Sequence, residues 1–184
     1  MKNTAFLFID FQRAFADPSW GKRNNPFAEK NAYELLKQAR MVGQTIIHVK
    51  HTSTNNESLF YEHSPTAQFI TGLEPEKSEM VFTKSVNSAF IETKLEEYLR
   101  DENIEILITL GLTTDHCVST TVRMGSNLGF QMILVSDATA TFERKGIDGS
   151  TLSAELIHDV HLSSLNREFA TILSTQEALK LLQK

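Results

Sequence analysis

The stretch TLGLTTDHCVSTTVRMGSN at positions 109–127 decides the fold. It opens on the end of an apolar run at 104–110, of the kind that makes a buried strand. Val118, Thr121, Val122, Gly125 and Leu128 then recur at helical spacing. A strand that turns into a helix within a few residues is the building unit of an α/β sheet. Cys117, the only cysteine among 184 residues, falls in the first turn of that helix. Unpaired N–H groups and the helix dipole favour a thiolate at such a place. A lone cysteine is by default a small apolar core residue; its position at a strand-to-helix turn argues for more.

The rest of the chain repeats the unit. Positions 4–9 are almost continuously apolar, as in a parallel strand covered on both faces, and end at Asp10. Two readings of Asp10 are open: it caps the next segment, or it projects into a cleft at the carboxyl end of the strand. Asn25 and Pro26 are the types that start a helix, Ala32, Leu35, Leu36, Ala39 and Val42 form its apolar stripe, and Gly43 ends it. A second strand at 44–50 makes that helix a crossover between parallel strands. Further strands are expected at 80–82, 104–110, 130–135 and 169–173. Further helices are expected from Asn87 and Ser88 through Arg100, with Phe90, Ile91, Leu95, Tyr98 and Leu99 inward. Another opens at Asp148, Gly149 and Ser150 and runs on over 154–165, and a last one covers 178–182 behind a capping box at Ser174 and Glu177. Positions 51–71 read as a long polar loop whose Phe60 and Tyr61 mark it as a pocket wall or lid. The alternation predicts one domain over 1–184: a three-layer α-β-α sandwich, Rossmann-like, with a mostly parallel six-stranded sheet and helices on both faces.

Composition narrows the function classes. With 41% hydrophobic residues, the chain can bury a core without disulfides or metal staples. A net charge of −5 with no basic tract argues against nucleic acid and anionic membranes as partners. A single cysteine forms no internal disulfide, which suits a reducing compartment. The apolar segment at 5–9 is too short for a signal-peptide core, and no segment reaches the ~20 apolar residues of a spanning helix. A cytoplasmic protein is expected.

Three reactive residues follow three different strands: Asp10, Lys84 and Cys117. In parallel sheets, ligands bind beyond the carboxyl ends of the strands, so an acid, a cation and a nucleophile reach one edge of the sheet. A thiol with pKa near 8.5 needs a base or a positive field to react. Lys84 and the helix terminus can supply the field, Asp10 can shuttle the proton, and N–H groups of the 113–117 turn can hold an oxyanion.

The segments Phe8-Ile9-Asp10-Phe11-Gln12, Phe82-Thr83-Lys84 with Asn87-Ser88-Ala89-Phe90, and Gly111 through Val118 resemble the isochorismatase-like cysteine hydrolase superfamily, which includes nicotinamidases and N-carbamoylsarcosine amidase. The resemblance covers essentially the whole chain. It implies that Asp10, Lys84 and Cys117 form the family's Asp-Lys-Cys triad. It also implies a cis peptide at Leu112–Thr113, with the N–H groups of Thr113 and Cys117 as oxyanion hole, and a homo-oligomer, dimer or tetramer. Nicotinamidases carry an Asp-x-His pair for a metal, but here the matching segment reads His48-Val49-Lys50-His51-Thr52 without the acid. No metal and no cofactor are therefore expected, His51 being a pocket wall and His48 a core or surface residue. His158 and His161 are at metal-ligand spacing, yet without acidic or cysteine partners they read as a packed helix face. Asp115 either caps the Cys117 helix or holds Lys84 or Arg123. Phe11, Gln12, Phe15, Trp20, His51, Phe60, Tyr61 and His116 are the candidate pocket residues. The expected activity is hydrolysis of a C–N bond, amide or ureido, in a small molecule through a thioester. The alternatives are an ether or enol-ether hydrolase with Asp10 as acid, and a non-catalytic metabolite binder.

Overall fold

The computed structural model describes Met1 and residues 3–182; Lys2, Gln183 and Lys184, the ends of the expected 1–184 domain, lie outside the described residues. Six strands form one sheet: β1 (Thr4–Ile9), β2 (Thr45–His51), β3 (Met80–Lys84), β4 (Ile106–Leu112), β5 (Gln131–Ala140) and, after two short strands β6 (Arg144–Lys145) and β7 (Thr151–Leu152), β8 (Thr171–Leu173). Their order is β3-β2-β1-β4-β5-β8 and every pairing is parallel. Helices α1 (Ala28–Met41), α2 (Leu95–Asp101), α3 (Ser119–Asn127), α4 (Ala154–Leu165) and α5 (Thr175–Leu181) complete it.

The apolar run of β1 explains the layers. Phe6 and Phe8 belong to a core with Leu35 and Leu36 of α1 and Ala178 of α5, while Ala5, Leu7 and Ile9 belong to a second core with Leu99 of α2 and Val122 of α3. Successive side chains point to opposite faces, so a run without polar residues is what a doubly covered strand needs. The chain leaves β1 toward β2 and β3, then returns to place β4 on the other side. The strand order thus reverses at β1, and a cleft opens beyond the carboxyl ends of β1 and β4. Gly111 lies in that approach: with φ +147, any Cβ there would collide with the Ile9 carbonyl.

Several boundaries differ from the sequence reading. Helix α1 starts at Ala28, not at Asn25 and Pro26, because the Asn25 amide is spent on the Ser136 and Thr139 carbonyls. Helix α2 starts only at Leu95. Glu92 adopts a left-handed φ of 56°, Ala89 N–H bonds to Thr121 Oγ1, and Ile91, expected inward, is exposed. The 148–150 turn is the tip of the β6–β7 hairpin, and Ser153 caps α4 instead. Strand β4 covers 106–112 and not 104–110, and β5 continues past Val135 to Ala140 through a register shift opposite Thr109 and Gly111.

One polar cluster lies in this framework. Glu79 accepts two hydrogen bonds from Arg40, at 2.7 and 2.8 Å, and one from the Glu76 N–H, and it faces His48 Nε2 at 3.0 Å. Burial raises the Glu79 carboxyl, but Arg40, the Glu76 N–H and His48 outweigh it and hold it at about 2. Its folded value lies below the unfolded one near 4.5. The contribution is therefore present above that range and is lost as pH falls toward about 2. Glu79→Gln is expected to cost about 1–3 kcal/mol at pH 7. In urea unfolding the gap to the wild type should narrow at pH 3; a gap that stays constant would reject the assignment.

Candidate active site

Asp10 follows β1 in a left-handed conformation (φ 53°), with its N–H bonded to the Val49 carbonyl. An aspartate tolerates that region better than most residues. Lys84 ends β3, in register with His51 at the end of β2. Cys117 sits in a wide π-type turn, Thr114–Val118, between β4 and α3. The peptide bond Leu112–Thr113 is cis.

The three side chains meet. Lys84 Nζ donates to Asp10 Oδ2 at 2.6 Å and to Cys117 Sγ at 3.2 Å, and lies 3.1 Å from His51 Nδ1. The Lys84 and Asp10 side chains are wholly buried. An ammonium has three N–H donors and no acceptor, so all three are used and His51 Nδ1 must accept. The network therefore puts the imidazole proton on Nε2, toward the Val86 carbonyl. Burial first, and then the Lys84 charge, hold His51 below its ordinary value despite Asp10. His51 is a neutral acceptor that helps orient Lys84.

The thiol differs from the sequence expectation of a helix-stabilised thiolate. Burial pushes Cys117 up to about 12, the Asp10 charge adds to this, and Lys84 only partly opposes. The turn that carries it is not the regular first turn of α3, which starts at Ser119. In the free protein Cys117 is a thiol.

A cavity of about 110 Å³ opens beside Sγ, walled by Asp10, His51, Thr113, His116, Asn87 and three aromatic rings. Phe15, Trp20 and Phe60 pack edge-on or tilted at 5.2 to 6.3 Å. Phe142 stacks behind Phe15 and Trp20. Of the residues proposed for the pocket, Phe15, Trp20, His51, Phe60 and His116 line it. Phe11 does not: it is a core residue against Phe8. Gln12 does not either, because its buried amide ties the His51 backbone N–H and carbonyl to Ala67. Tyr61 points away, against His63. Asn87, read from sequence as a helix cap, lies 3.8 Å from Sγ and lines the cavity. Its signal in the sequence was its place in the segment Asn87-Ser88-Ala89-Phe90 that carries the resemblance. Asp115 holds neither Lys84 nor Arg123 and caps nothing. Burial raises it, but hydrogen bonds from Thr141, Arg144 and Thr113 hold it at about 2.

Asp10, His51 and Cys117 also offer three metal-ligand atoms within 4.8 Å of one another. The Lys84 ammonium bonds to one atom of each residue and so holds the position that a cation would take. His48 and His63 do not join them: His48 is buried beside Glu79, and His63 is largely exposed.

Residues 4–177 match the family model described as Isochorismatase domain. The chain belongs to the isochorismatase family. Membership makes it a hydrolase, and its α/β sheet is that of the family. Isochorismatase family protein YrdC of Bacillus subtilis is 43% identical over 95% of this chain and 94% of its own. The crystal structure of an isochorismatase-family protein from Chromobacterium violaceum superposes with a TM-score of 0.96, at 37% identity, over 98% of this chain and 93% of that one. A more distant relative, maleamate amidohydrolase of Pseudomonas putida, is 22% identical over 99% of this chain and 88% of its own.

Proposed function

We propose that the protein hydrolyses the C–N bond of a small amide or ureido compound, with Cys117 as nucleophile. The observation that carries this is the hydrogen-bonded set of Asp10, Lys84 and Cys117 at the floor of a small cavity. Asp10 takes the Sγ proton as the sulfur attacks the carbonyl carbon. The oxyanion rests on the N–H groups of Thr113 and Cys117. When the tetrahedral intermediate collapses, Asp10 returns the proton to the leaving nitrogen, and an acyl-thioester remains on Cys117. Water then attacks the thioester, giving one proton to Asp10; as the C–S bond breaks, Asp10 passes that proton to the leaving sulfur, and the carboxylic acid and the free thiol are released with Asp10 again a carboxylate. Lys84 pairs with the Asp10 carboxylate and steadies the sulfur as it gains charge. The amidohydrolase among the relatives supports the C–N reading over ether cleavage, and so does the position of Sγ at the cavity wall.

The test is ammonia release from a panel of small carboxamides and ureido compounds, with rapid acid quench and mass spectrometry. A substrate is expected to leave its acyl mass on the peptide that contains Cys117. Turnover of a panel member without any such adduct, under conditions where chemistry precedes deacylation, would exclude the thioester route.

A further inference from the structure

The nucleophile turn has no side-chain cap at its start: the Thr113 hydroxyl goes to the Asp115 carboxylate and caps no N–H of the turn, and the Thr113 carbonyl receives the N–H groups of both His116 and Val118, each at 3.2 Å. π-type turns are rare and concentrate at functional sites. What fixes the turn must come from elsewhere. One support is the Asp115 carboxylate on Thr141 and Arg144. The other reaches the residue next to it.

We infer that His158 is a positioning residue for the nucleophile turn, holding Cys117 in place through the hydroxyl of Thr114. His158 lies on α4, 44 positions away in sequence, and its Nδ1 is 2.8 Å from Thr114 Oγ1. Both residues are buried, His158 at 5% exposure and Thr114 at 0%. The other ring nitrogen faces the Ser136 carbonyl and lies 3.4 Å from Asn25 Nδ2. That amide already donates to the Ser136 and Thr139 carbonyls, at 3.0 and 2.7 Å. Nε2 therefore carries the proton toward Ser136, and Nδ1 is left as the acceptor for the Thr114 hydroxyl. Burial is the main reason that the ring stays uncharged, with Asp159 and the Ser136 carbonyl opposing. His158 is absent from the cavity wall, so it acts through Thr114 and not on substrate. The ring thus links two segments, the β5 irregularity and the turn that bears the sulfur, with the Asn25 amide packed beside it. A buried threonine hydroxyl that loses its acceptor must shift to find another, and the turn shifts with it.

Three variants test this: His158→Leu, which removes the acceptor; His158→Asn, which restores one at the Nδ1 position; and Thr114→Val, which removes the donor with little change of shape and stays informative if His158→Leu fails to fold. Alkylation of Cys117 by iodoacetamide at pH 7.5 needs no substrate, so it decides the point even if the amidase reading fails. We expect His158→Leu and Thr114→Val each to alkylate at least about fivefold faster than wild type, since the sulfur is no longer packed in place. On an amide turned over by wild type, kcat should fall about tenfold or more with KM within about twofold. His158→Asn should return both values to within about threefold of wild type, and a fourth variant that combines His158→Leu with Thr114→Val should be no worse than either of those single variants. If His158→Asn behaves as His158→Leu does, if the losses in the double variant multiply, or if alkylation is unchanged throughout, the role is purely structural and the inference fails.

Discussion

Cys117→Ala should fold normally and lose turnover of any amide substrate by at least about a thousandfold. The substitution removes one buried sulfur, a loss of the size that cores tolerate at about 1–2 kcal/mol. The activity loss is larger because no other side chain near the cavity offers a comparable nucleophile. Asp10 is hydrogen-bonded to Lys84, and His51 is a neutral acceptor with its free lone pair already engaged. Burial pushes the thiol up to about 12, so wild-type Cys117 should alkylate slowly at pH 7 and steadily faster as pH rises through 9, with no plateau near neutrality. On the proposed mechanism the proton passes to Asp10 during attack, so Asp10→Asn should match Cys117→Ala in activity while keeping the thiol. Cys117→Ala turning over an amide at the wild-type rate would end the cysteine mechanism. An alkylation profile that levels off below pH 7 would mean that the thiolate is already formed.

What the sequence could and could not show follows from the range of the interactions. β1 was legible because burial on both faces leaves an unbroken apolar run, and the nucleophile turn because its residues are local. Asp10, Lys84 and Cys117 were legible as a set because topology alone sends the ends of parallel strands to one edge of the sheet. The errors lie where a side chain serves a distant partner. Asn25 has the composition of a cap, yet it bonds to carbonyls more than a hundred positions away. Asn87 and Ser88 look like a helix start, but the following residues are held by Thr121 and by a left-handed Glu92, and the helix waits until Leu95. Gln12 has the polarity of a substrate contact and instead ties two loops together. Nothing local in the sequence pairs Thr114 with His158, which lie 44 positions apart. The thiol was misjudged for a related reason: a helix terminus is visible in sequence, whereas the desolvation that outweighs it is a property of the packed site.

Lys84→Met is expected to be both inactive and destabilised, and the two effects have one origin. Lys84 and Asp10 are fully buried, 2.6 Å apart, and the second carboxylate oxygen, Asp10 Oδ1, has no hydrogen-bond partner among the described residues. Methionine fills much of the lysine volume but leaves a buried carboxylate without its counter-charge, which costs about 3–5 kcal/mol. The carboxylate can escape that cost only by binding a proton. The deficit of Lys84→Met should therefore be largest at pH 7 and above and should shrink as pH falls. Adding Asp10→Asn to Lys84→Met removes the stranded charge, so the double variant should be more stable at pH 7 than Lys84→Met alone, though equally inactive. Urea unfolding of the wild type, both single variants and the double variant at pH 7 and pH 5 measures the coupling directly. Additive losses, or a deficit that does not respond to pH, would mean that Lys84 is held by packing and hydrogen bonds and not by the Asp10 charge. A catalytic assignment that depends on that charge would then lose its footing. The measured coupling is thus also a test of the chemistry, since the proposed mechanism assigns the proton transfer to the carboxylate that Lys84 pairs with in the fold.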